Sequence, residues 1–243
     1  MSLNSKFHIV IPARYNSTRF PGKALALINS KPMIQHVYEI ALCTKAESII
    51  IATDSVQIEK TCKEFNARVL MTPCFCESGT DRLAQVCEEM GWADNEIVVN
   101  LQGDEPLMPP SLITQVAEEL EYFSGSDCEI ATLYTLTNDK DNPNDVKVVV
   151  DEYGIAMYFS RFAIPFGARE VKRHLGIYAY RVGFLKNFSK MIKCGLEKAE
   201  HLEQLRAMYH GAKIRVEEAL EIPGPDVNCP DDIARVEKAL NNV

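Results

Sequence analysis

The 243-residue chain carries 26 Lys and Arg residues against 34 Asp and Glu residues, a formal net charge of −8 at pH 7. This acidic balance argues against general nucleic-acid binding, because such proteins present a basic face to the phosphates. No apolar run approaches the roughly 20 residues that cross a bilayer, and residues 7–13 are too short for a secretory signal. The sequence therefore predicts a globular cytoplasmic protein with no membrane insertion.

Eight cysteines are scattered along the chain, and only Cys74 and Cys76 lie close together. The absence of a paired C-x-x-C motif argues against a structural zinc site built from thiolates. We interpret the cysteines as reduced, semi-buried small side chains, as is usual in cytoplasmic proteins.

The first half of the chain alternates short apolar runs with segments of helical periodicity. The predicted strands are residues 7–11, 48–52, 68–71 and 97–101, and the predicted helices are residues 33–44, 56–65, 80–90 and 112–123. This alternation predicts an α/β fold whose mostly parallel central sheet has helices on both faces. Ligands bind beyond the carboxyl ends of such strands, so the candidate binding segments are residues 12–23, 53–54 and 102–110.

The second half of the chain is richer in strands. Adjacent β-type runs at residues 130–136, 146–150, 155–160 and 175–180 predict a mixed or antiparallel extension of the sheet. The remaining predicted elements are a helix over 197–210 that ends at Gly211, a strand over 213–218 and a final helix over 231–240. The chain shows no repeat or linker, so we predict one domain over residues 1–243, with the extension at about 130–210.

The segment after the first strand, residues 12–23, carries the cations Arg14, Arg19 and Lys23 and no carboxylate. An Arg side chain can grip phosphate oxygens with its planar fork, and Lys supplies a mobile positive charge. This composition favours an anion-binding loop, and a solvated loop with surface ion pairs is the alternative. The chain has neither a Walker A loop nor a G-x-G-x-x-G motif, which argues against kinases and dehydrogenases.

Two further segments carry polar side chains suited to a ligand. Ser78, Gly79 and Thr80 precede a predicted helix, so their hydroxyl and N–H groups can either cap that helix or face an anion. Asp104 follows a strand at the carboxyl edge of the sheet, where one carboxylate can hold Mg²⁺ against nucleotide phosphates. A turn-forming Asp after Gly103 is the alternative interpretation.

The loop at residues 12–23 reads P-A-R-x-x-S-T-R-x-P-G-K at its fixed positions. It resembles the nucleotide loop of the 3-deoxy-manno-octulosonate cytidylyltransferases (CMP-Kdo synthetases), a family with the Rossmann-like nucleotide-diphospho-sugar transferase fold. The resemblance continues in the family's order over nearly the whole chain, through residues 31–34, 52–54, 78–82, 102–106, 160–165, 174–178 and 202–206. Such a series is far more specific than any one motif.

The resemblance implies an enzyme that joins CMP from CTP to a 3-deoxy-octulosonate sugar acid and releases pyrophosphate. In this reaction the anomeric hydroxyl of the sugar attacks the α-phosphorus of CTP in line. The resemblance also implies Mg²⁺ as cofactor, a homodimer, and a role in lipopolysaccharide biosynthesis.

The resemblance assigns a role to each matched side chain. The implied catalytic residues are Arg14, Arg19, Lys23 and Asp104. The implied nucleotide-binding residues are Pro12, Ala13, Arg14, Lys23, Ser78, Gly79, Thr80 and Arg82. The implied sugar-binding residues are Gln102, Arg161, His174, Tyr178, Glu203 and Gln204, and the implied metal ligands are Asp104 and Asn228.

Two segments depart from the family's pattern. The family reads V-D-T-P-E-D near the C terminus, with its first Asp as a second metal ligand, whereas this chain has Asn228 there. An amide can coordinate Mg²⁺ through its oxygen but removes one negative charge, so we expect weaker metal binding or compensation by Asp226. Residues 165–173 are shorter than the family's usual excursion beside the sugar pocket, which leaves an 8-amino octulosonate open as the substrate.

Two other functions are alternatives to this one. A cytidylyltransferase for nine-carbon sialic-type acids typically has Gly-Ser-Lys after the first Arg of the loop, which residues 15–19 do not match. A catalytically weak nucleotide-sugar-binding protein on the same fold has only Asn228 in its favour. Release of pyrophosphate from CTP and sugar acid would distinguish an enzyme from a binding protein.

Overall fold

A computed structural model describes residues 6–16, 20–76, 78–123 and 127–241. Its strands are β1 (Phe7–Ala13), β2 (Leu27–Ile28), β3 (Lys31–Pro32), β4 (Ser48–Thr53), β5 (Val69–Met71), β6 (Ile97–Asn100), β7 (Cys128–Thr137), β8 (Lys147–Val150), β9 (Ala156–Ser160), β10 (Val171–Arg181) and β11 (Lys213–Glu218). Its helices are α1 (Met33–Leu42), α2 (Val56–Glu64), α3 (Gly79–Met90), α4 (Pro110–Tyr122), α5 (Val182–Phe188), α6 (Gly195–Glu200), α7 (Gln204–Tyr209) and α8 (Asp232–Leu240). None of these described helices is long and apolar enough to cross a membrane.

The main sheet has the strand order β11-β7-β10-β6-β1-β4-β5. Strand β1 pairs in parallel with β4 on one side and β6 on the other, and β5 continues the parallel region beyond β4. Strand β10 runs antiparallel to β6 and β7, and the hairpin of β8 and β9 pairs with β10. The predicted mostly parallel sheet with a mixed extension is confirmed.

Helices cover both faces of this sheet, as predicted. Ile9 and Ile11 of β1 pack into a core with α1, α2 and α4, whereas Val10 packs into a second core with α3, α5 and α7. All three side chains are fully buried. A strand that is covered on both faces reads as a continuous apolar run, which is why β1 could be predicted from its composition.

The structure corrects the prediction of one helix over residues 197–210. Two shorter helices, α6 and α7, take its place because His201 adopts a left-handed conformation with φ 55° and ends α6. Glu203, which lies in the gap, directs its carboxylate to the hydroxyl of Thr80 on α3 at 2.9 Å. Apolar residues keep helical spacing across the gap, so the sequence pattern does not reveal it. The predicted left-handed residue after the second helix, Gly211 with φ 91°, is confirmed.

Candidate active site

Two adjoining cavities lie where the loops after β1 and β6 meet the start of α3. The smaller one has a volume of about 140 Å³. It is lined by Pro12, Ala13, Arg14, Lys23, Ala24, Met33, Gly79, Arg82, Gln102, Gly103 and Asp104. It therefore contains most of the residues that the sequence assigned to nucleotide binding and catalysis.

An ion pair between Lys23 and Asp104 joins three parts of the chain at this cavity. The ammonium nitrogen of Lys23 lies 2.5 Å from Oδ2 of Asp104, and it also donates to the carbonyl oxygen of Val227 at 3.1 Å. The N–H of Val227 in turn donates to the carbonyl oxygen of Asp104 at 3.0 Å. These contacts hold together the loop at residues 12–23, called the phosphate loop below, the loop after β6 and the C-terminal segment at residues 226–228.

The phosphate loop itself is closed by a glycine. Gly22 has φ 71°, and its N–H donates to the carbonyl oxygen of Tyr15 at 2.8 Å. This left-handed conformation is readily available only to glycine, and it turns the chain so that Lys23 enters the cavity. Of the other predicted cations, Arg14 lines the cavity, while Arg19 lies outside the described residues, as do Ser17 and Thr18.

The side-chain oxygens of Asp104, Asp226 and Asn228 are of the kind that binds a magnesium ion. Val227, which is hydrogen-bonded to Asp104, lies between Asp226 and Asn228 in the chain, and Nδ2 of Asn228 donates to Oδ2 of Asp226 at 2.6 Å. Neither Asp226 nor Asn228 is in the lining of the smaller cavity. Two carboxylates and an amide oxygen are hard ligands of the kind that Mg²⁺ prefers. Mg²⁺ commonly takes only one or two carboxylates from the protein and completes its shell with water and phosphate oxygens.

Glu105, the residue after Asp104, is a buried acid. Its Oε2 is buried and has no hydrogen-bond partner among the described residues. Burial, followed by the negative charge of Asp104, raises the pKa of Glu105 to about 8. The Glu105 carboxyl is therefore mostly protonated at pH 7 and adds little charge beside Asp104, which leaves Asp104 as the charged carboxylate of this pair.

Gly103 allows the close approach of two backbone segments in this cavity. A Cβ atom at this position would lie 2.9 Å from the carbonyl oxygen of Pro12. We expect Gly103→Ala to displace Asp104 relative to the phosphate loop and to lower kcat/KM about 100-fold, since displacements near 1 Å can have this effect. Gly195→Ala is the matched control, because its Cβ would meet nothing within 4 Å. Steady-state kinetics on both variants test this, and equal activities would contradict it.

The larger cavity has a volume of about 210 Å³ and shares Gly79 and Gln102 with the smaller one. Its lining consists of Gly79, Thr80, Asn100, Gln102, Ile130, Tyr178, Tyr180, Phe188, His201, Leu202, Glu203, Gln204 and Ala207. It therefore gathers four of the predicted sugar-binding residues, which are Gln102, Tyr178, Glu203 and Gln204. Its polar groups and aromatic walls suit a ligand that carries several hydroxyls.

Buried polar side chains dominate one wall of the larger cavity. Burial raises the pKa of Glu203, and the hydrogen bond from Thr80 opposes that shift. Burial also raises the pKa of Tyr178 well above its usual range, so its hydroxyl stays protonated. The Glu203 carboxyl can accept hydrogen bonds, and the Tyr178 hydroxyl can both donate and accept them, which suits sugar hydroxyls.

Sequence reasoning missed three polar residues of this cavity, Asn100, Tyr180 and His201. Oδ1 of Asn100 is buried and has no partner in the described part of the chain, so it is an available acceptor. Tyr180 stacks on Tyr178 with ring centroids 5.6 Å apart. The sequence contained a signal for two of them. Asn100 is a polar residue at the end of the apolar strand β6. Tyr180 lies two residues after Tyr178, and this spacing puts both tyrosines on one face of β10.

Two predicted sugar-binding residues lie outside the linings of both cavities. Arg161 donates from Nε to the carbonyl oxygen of Glu200 at 2.9 Å and from a terminal nitrogen to that of Pro143 at 3.2 Å. Its guanidinium thus connects the end of β9 to α6. In this geometry the guanidinium of Arg161 is used in contacts with the backbone and is not part of either cavity lining.

His174 is the second of these residues. The hydroxyl of Thr132 donates to the carbonyl oxygen of Ile177 at 2.7 Å, so it accepts from Nε2 of His174, 3.0 Å away. Burial lowers the pKa of His174 to about 3, so its ring is neutral at pH 7. The ring also packs 5.2 Å from that of Tyr178, which places His174 where it positions a cavity residue.

Ser78 and Arg82 position the helix that separates the two cavities. Oγ of Ser78 accepts from the N–H of Asp81 at 3.1 Å, and the carboxylate of Asp81 accepts from the N–H of Ser78 at 3.1 Å. This capping box uses the Ser78 side chain to start α3. Arg82 is fully buried and donates to Oδ2 of Asp54 at 2.9 Å and to the hydroxyl of Thr72. It lines the smaller cavity and fixes α3 against the sheet.

The chain is similar to known cytidylyltransferases over most of its length. The Cytidylyltransferase family matches residues 8–214. The 3-deoxy-manno-octulosonate cytidylyltransferase of Thioalkalivibrio sulfidiphilus (strain HL-EbGR7) is 50% identical over 248 aligned residues, which cover 96% of this chain and 98% of the relative. The protein of the same name from Pseudoalteromonas atlantica (strain T6c / ATCC BAA-1087) is 46% identical and covers 95% and 96%.

Solved structures extend the likeness to the fold. A CMP:2-keto-3-deoxy-manno-octonic acid synthetase complexed with CTP has a TM-score of 0.89 and 41% identity, covering 98% of this chain and 99% of that one. A 4-diphosphocytidyl-2C-methyl-D-erythritol synthase, at 15% identity and a TM-score of 0.66, shares the fold alone. By sequence and by structure, the chain belongs to the cytidylyltransferase family and, within it, to the 3-deoxy-manno-octulosonate cytidylyltransferases.

Proposed function

We propose that this protein transfers CMP from CTP to 3-deoxy-manno-octulosonate, releases pyrophosphate and thereby supplies the activated sugar for lipopolysaccharide biosynthesis. The observation that carries the proposal is the pair of adjoining cavities, one cationic and one lined by polar side chains, which share Gly79 and Gln102. Relatives of this name match the chain nearly end to end. A relative with 41% identity has been solved with CTP bound.

The chemistry requires little covalent participation by the protein. The anomeric hydroxyl of the sugar attacks the α-phosphorus of CTP, and the bond from that phosphorus to the pyrophosphate oxygen breaks. Arg14 and Lys23 would neutralise the charge that develops on the phosphates, and Arg19 is proposed to assist them from the same loop. Positioning two anionic substrates for in-line attack supplies the remainder of the rate enhancement.

We infer that each cavity holds one substrate. The smaller cavity would take the triphosphate and ribose, with Pro12, Ala13 and Gly79 offering backbone contacts. The larger cavity, built partly by the extension at about residues 130–210, would take the sugar acid against Glu203, Gln204 and the tyrosines of β10. Gln102 lines both cavities, so it would face the sugar at the point of attack.

Mg²⁺ is the cofactor that we propose for this site. It would be held by Asp104 together with Asn228 or Asp226, and it would neutralise phosphate charge as the bond to pyrophosphate breaks. In the described structure, Lys23 forms an ion pair with Asp104. Its flexible stem allows the ammonium group to turn from this carboxylate to a phosphate oxygen of the bound nucleotide.

We also propose a cytoplasmic homodimer. The segment after β9 carries two exposed aromatic side chains, Phe162 and Phe166, and β9 adds the exposed side chain of Met157. Exposed apolar side chains of this kind are typical of surfaces that associate. All eight cysteines are free thiols, as expected in a reducing compartment. Light scattering coupled to size exclusion tests the dimer, and a monomeric mass at micromolar concentration would contradict it.

A pyrophosphate-release assay tests the proposed function directly. CTP and Mg²⁺ are offered with 3-deoxy-manno-octulosonate and, separately, with its 8-amino analogue. We expect turnover with the plain sugar. Preference for the 8-amino sugar would retain the reaction and reassign the substrate. Binding of CTP without turnover on either sugar would instead identify a nucleotide-binding protein.

Asn228→Asp is expected to lower the Mg²⁺ concentration for half-maximal activity several-fold. The substitution adds a carboxylate beside Asp226, and ligand charge is a main determinant of affinity for hard cations. Asp226→Asn should have the opposite effect, because it removes the compensating charge. A Mg²⁺ titration of pyrophosphate release on both variants provides the measurement. Identical Mg²⁺ dependence in both would exclude this segment from the metal site.

A further inference from the structure

A second cluster of metal-ligating side chains lies at the N-terminal ends of three central strands, whereas the two cavities lie at the opposite ends of the strands. His8 is near the start of β1, Glu47 immediately precedes β4, and Glu96 immediately precedes β6. These three strands are neighbours in the sheet. One ring nitrogen of His8 and one carboxylate oxygen from each Glu all lie within 4.8 Å of one another.

The ring of His8 is held in a fixed orientation. Its Nδ1 lies 2.8 Å from the hydroxyl oxygen of Ser48, and Nε2 lies 3.3 Å from a carboxylate oxygen of Glu96. The ring also stacks on Trp92, with centroids 4.0 Å apart and planes 5° from parallel. A metal-binding His usually donates its other ring N–H to an oxygen, as Nδ1 can donate here to Ser48.

The two carboxylates are positioned by backbone contacts. The N–H of Glu47 donates to the carbonyl oxygen of Phe7 at 2.8 Å, next to His8 in the chain. The second oxygen of Glu96 accepts from the N–H of Ala93. The first contact fixes the backbone of Glu47 beside His8, and the second fixes the carboxylate of Glu96.

We propose that His8, Glu47 and Glu96 form a binding site for a divalent transition-metal ion, with Zn²⁺ as the best fit. Three protein ligands from nitrogen and carboxylate oxygen, with water as the fourth, are a common zinc arrangement. Bond lengths of about 2.0–2.1 Å in a tetrahedron place ligand atoms roughly 3.3 Å apart. Nε2 of His8 and the oxygen of Glu96 already have this separation. Imidazole favours zinc over Mg²⁺.

Lys6 competes with the metal for this site. Its ammonium nitrogen lies 2.6 Å from a carboxylate oxygen of Glu47, and its side chain is 75% exposed. An exposed lysine loses little when it turns to solvent, because surface ion pairs contribute only weakly to stability. Removing this cation should therefore tighten metal binding, whereas removing a carboxylate should weaken it.

Metal bound here would link the starts of three adjacent strands and leave the transfer reaction unchanged. An ion that binds the folded state raises its stability by mass action. We therefore expect the chelator-treated full-length protein to unfold at a higher temperature when Zn²⁺ is added. Turnover at a fixed Mg²⁺ concentration should be unaffected by substitution of Glu47.

Trp92 provides a local readout, since it is the only tryptophan in the sequence and stacks on His8. Zn²⁺ titrated into chelator-treated protein should change its emission and saturate at one ion per chain. Glu47→Gln should weaken binding by about 100-fold or more, because loss of second-shell contacts alone costs 10- to 100-fold. Glu59→Gln is the matched control, a surface glutamate paired with Lys63 at 2.6 Å. Lys6→Met should bind Zn²⁺ more tightly than the wild type.

The visible spectrum of bound Co²⁺ distinguishes metal binding at this site from metal binding by cysteine thiolates. Co²⁺ at the proposed site should give a visible spectrum without a thiolate charge-transfer band, because its ligands are nitrogen and oxygen. A thiolate band, or equal Zn²⁺ affinity in Glu47→Gln and Glu59→Gln, would overturn the proposal. So would a Trp92 emission that does not respond to Zn²⁺.

Discussion

Asp104→Asn is expected to lower kcat for pyrophosphate release by about 10³-fold. Asp104 is the carboxylate at which the phosphate loop, the loop after β6 and the C-terminal segment meet, through its contacts with Lys23 and Val227. The substitution keeps the shape of the side chain but removes the charge that we propose holds Mg²⁺. Loss of one group that stabilises transition-state charge typically costs 10²- to 10³-fold in kcat. Steady-state kinetics at saturating substrates, repeated over a range of Mg²⁺ concentrations, provide the measurement.

Asp139→Asn is the control for this prediction, since Asp139 is exposed and the substitution makes the same change in charge. Its activity should equal that of the wild type. Thermal unfolding of both variants should show that Asp104→Asn remains folded, because Asp104 is partly exposed and makes one ion pair. If Asp104→Asn retains activity within a few-fold of the wild type at every Mg²⁺ concentration, Asp104 is not the principal metal ligand.

The central sheet could be predicted from sequence because its strands are buried on both faces. Strands β1 and β6 each contain three consecutive β-branched residues, at 9–11 and 97–99, and the helices between them keep a periodic apolar face. Helix α5 could not be found this way. It follows β10 without any turn residue, and Gly183 near its start resembles a loop signal. The structure places Gly183 against Asp94, where a Cβ atom would lie 3.0 Å from the Asp94 Cβ.

Some residues of the candidate site could likewise be predicted from the sequence, and others could not. Residues in contiguous motifs, such as Lys23 and Asp104, could be predicted because strand ends bring their loops together. Asn100 and Tyr180 line the larger cavity but belong to strands that also supply many core residues. Their orientation depends on the register of β10 against β6, in which Tyr178 pairs with Asn100. Such long-range pairing is set by the whole sheet, so no local pattern specifies it.

Asp54→Ala is expected to destabilise the protein by about 3 kcal/mol, because it leaves the buried guanidinium of Arg82 without its counter-ion. Arg82 is fully buried, and Oδ2 of Asp54 lies 2.9 Å from it. In a chain of this length the loss corresponds to a decrease in Tm of about 10 °C. The KM for CTP should also rise, since Arg82 fixes the start of α3, where Gly79 lines both cavities.

A double variant separates the charge effect from the positioning effect. Asp54→Ala combined with Arg82→Met leaves no buried charge at this position, so it should recover part of the stability that Asp54→Ala loses. Its KM for CTP should remain high, because Met cannot donate to Thr72 and hold α3 against the sheet. The exposed pair of Glu59 and Lys63 supplies the surface reference, where Lys63→Ala should cost less than about 0.5 kcal/mol. If Asp54→Ala lowers the free energy of unfolding by no more than Lys63→Ala does, apolar packing alone holds α3 in place. The double variant should then bind CTP as the wild type does.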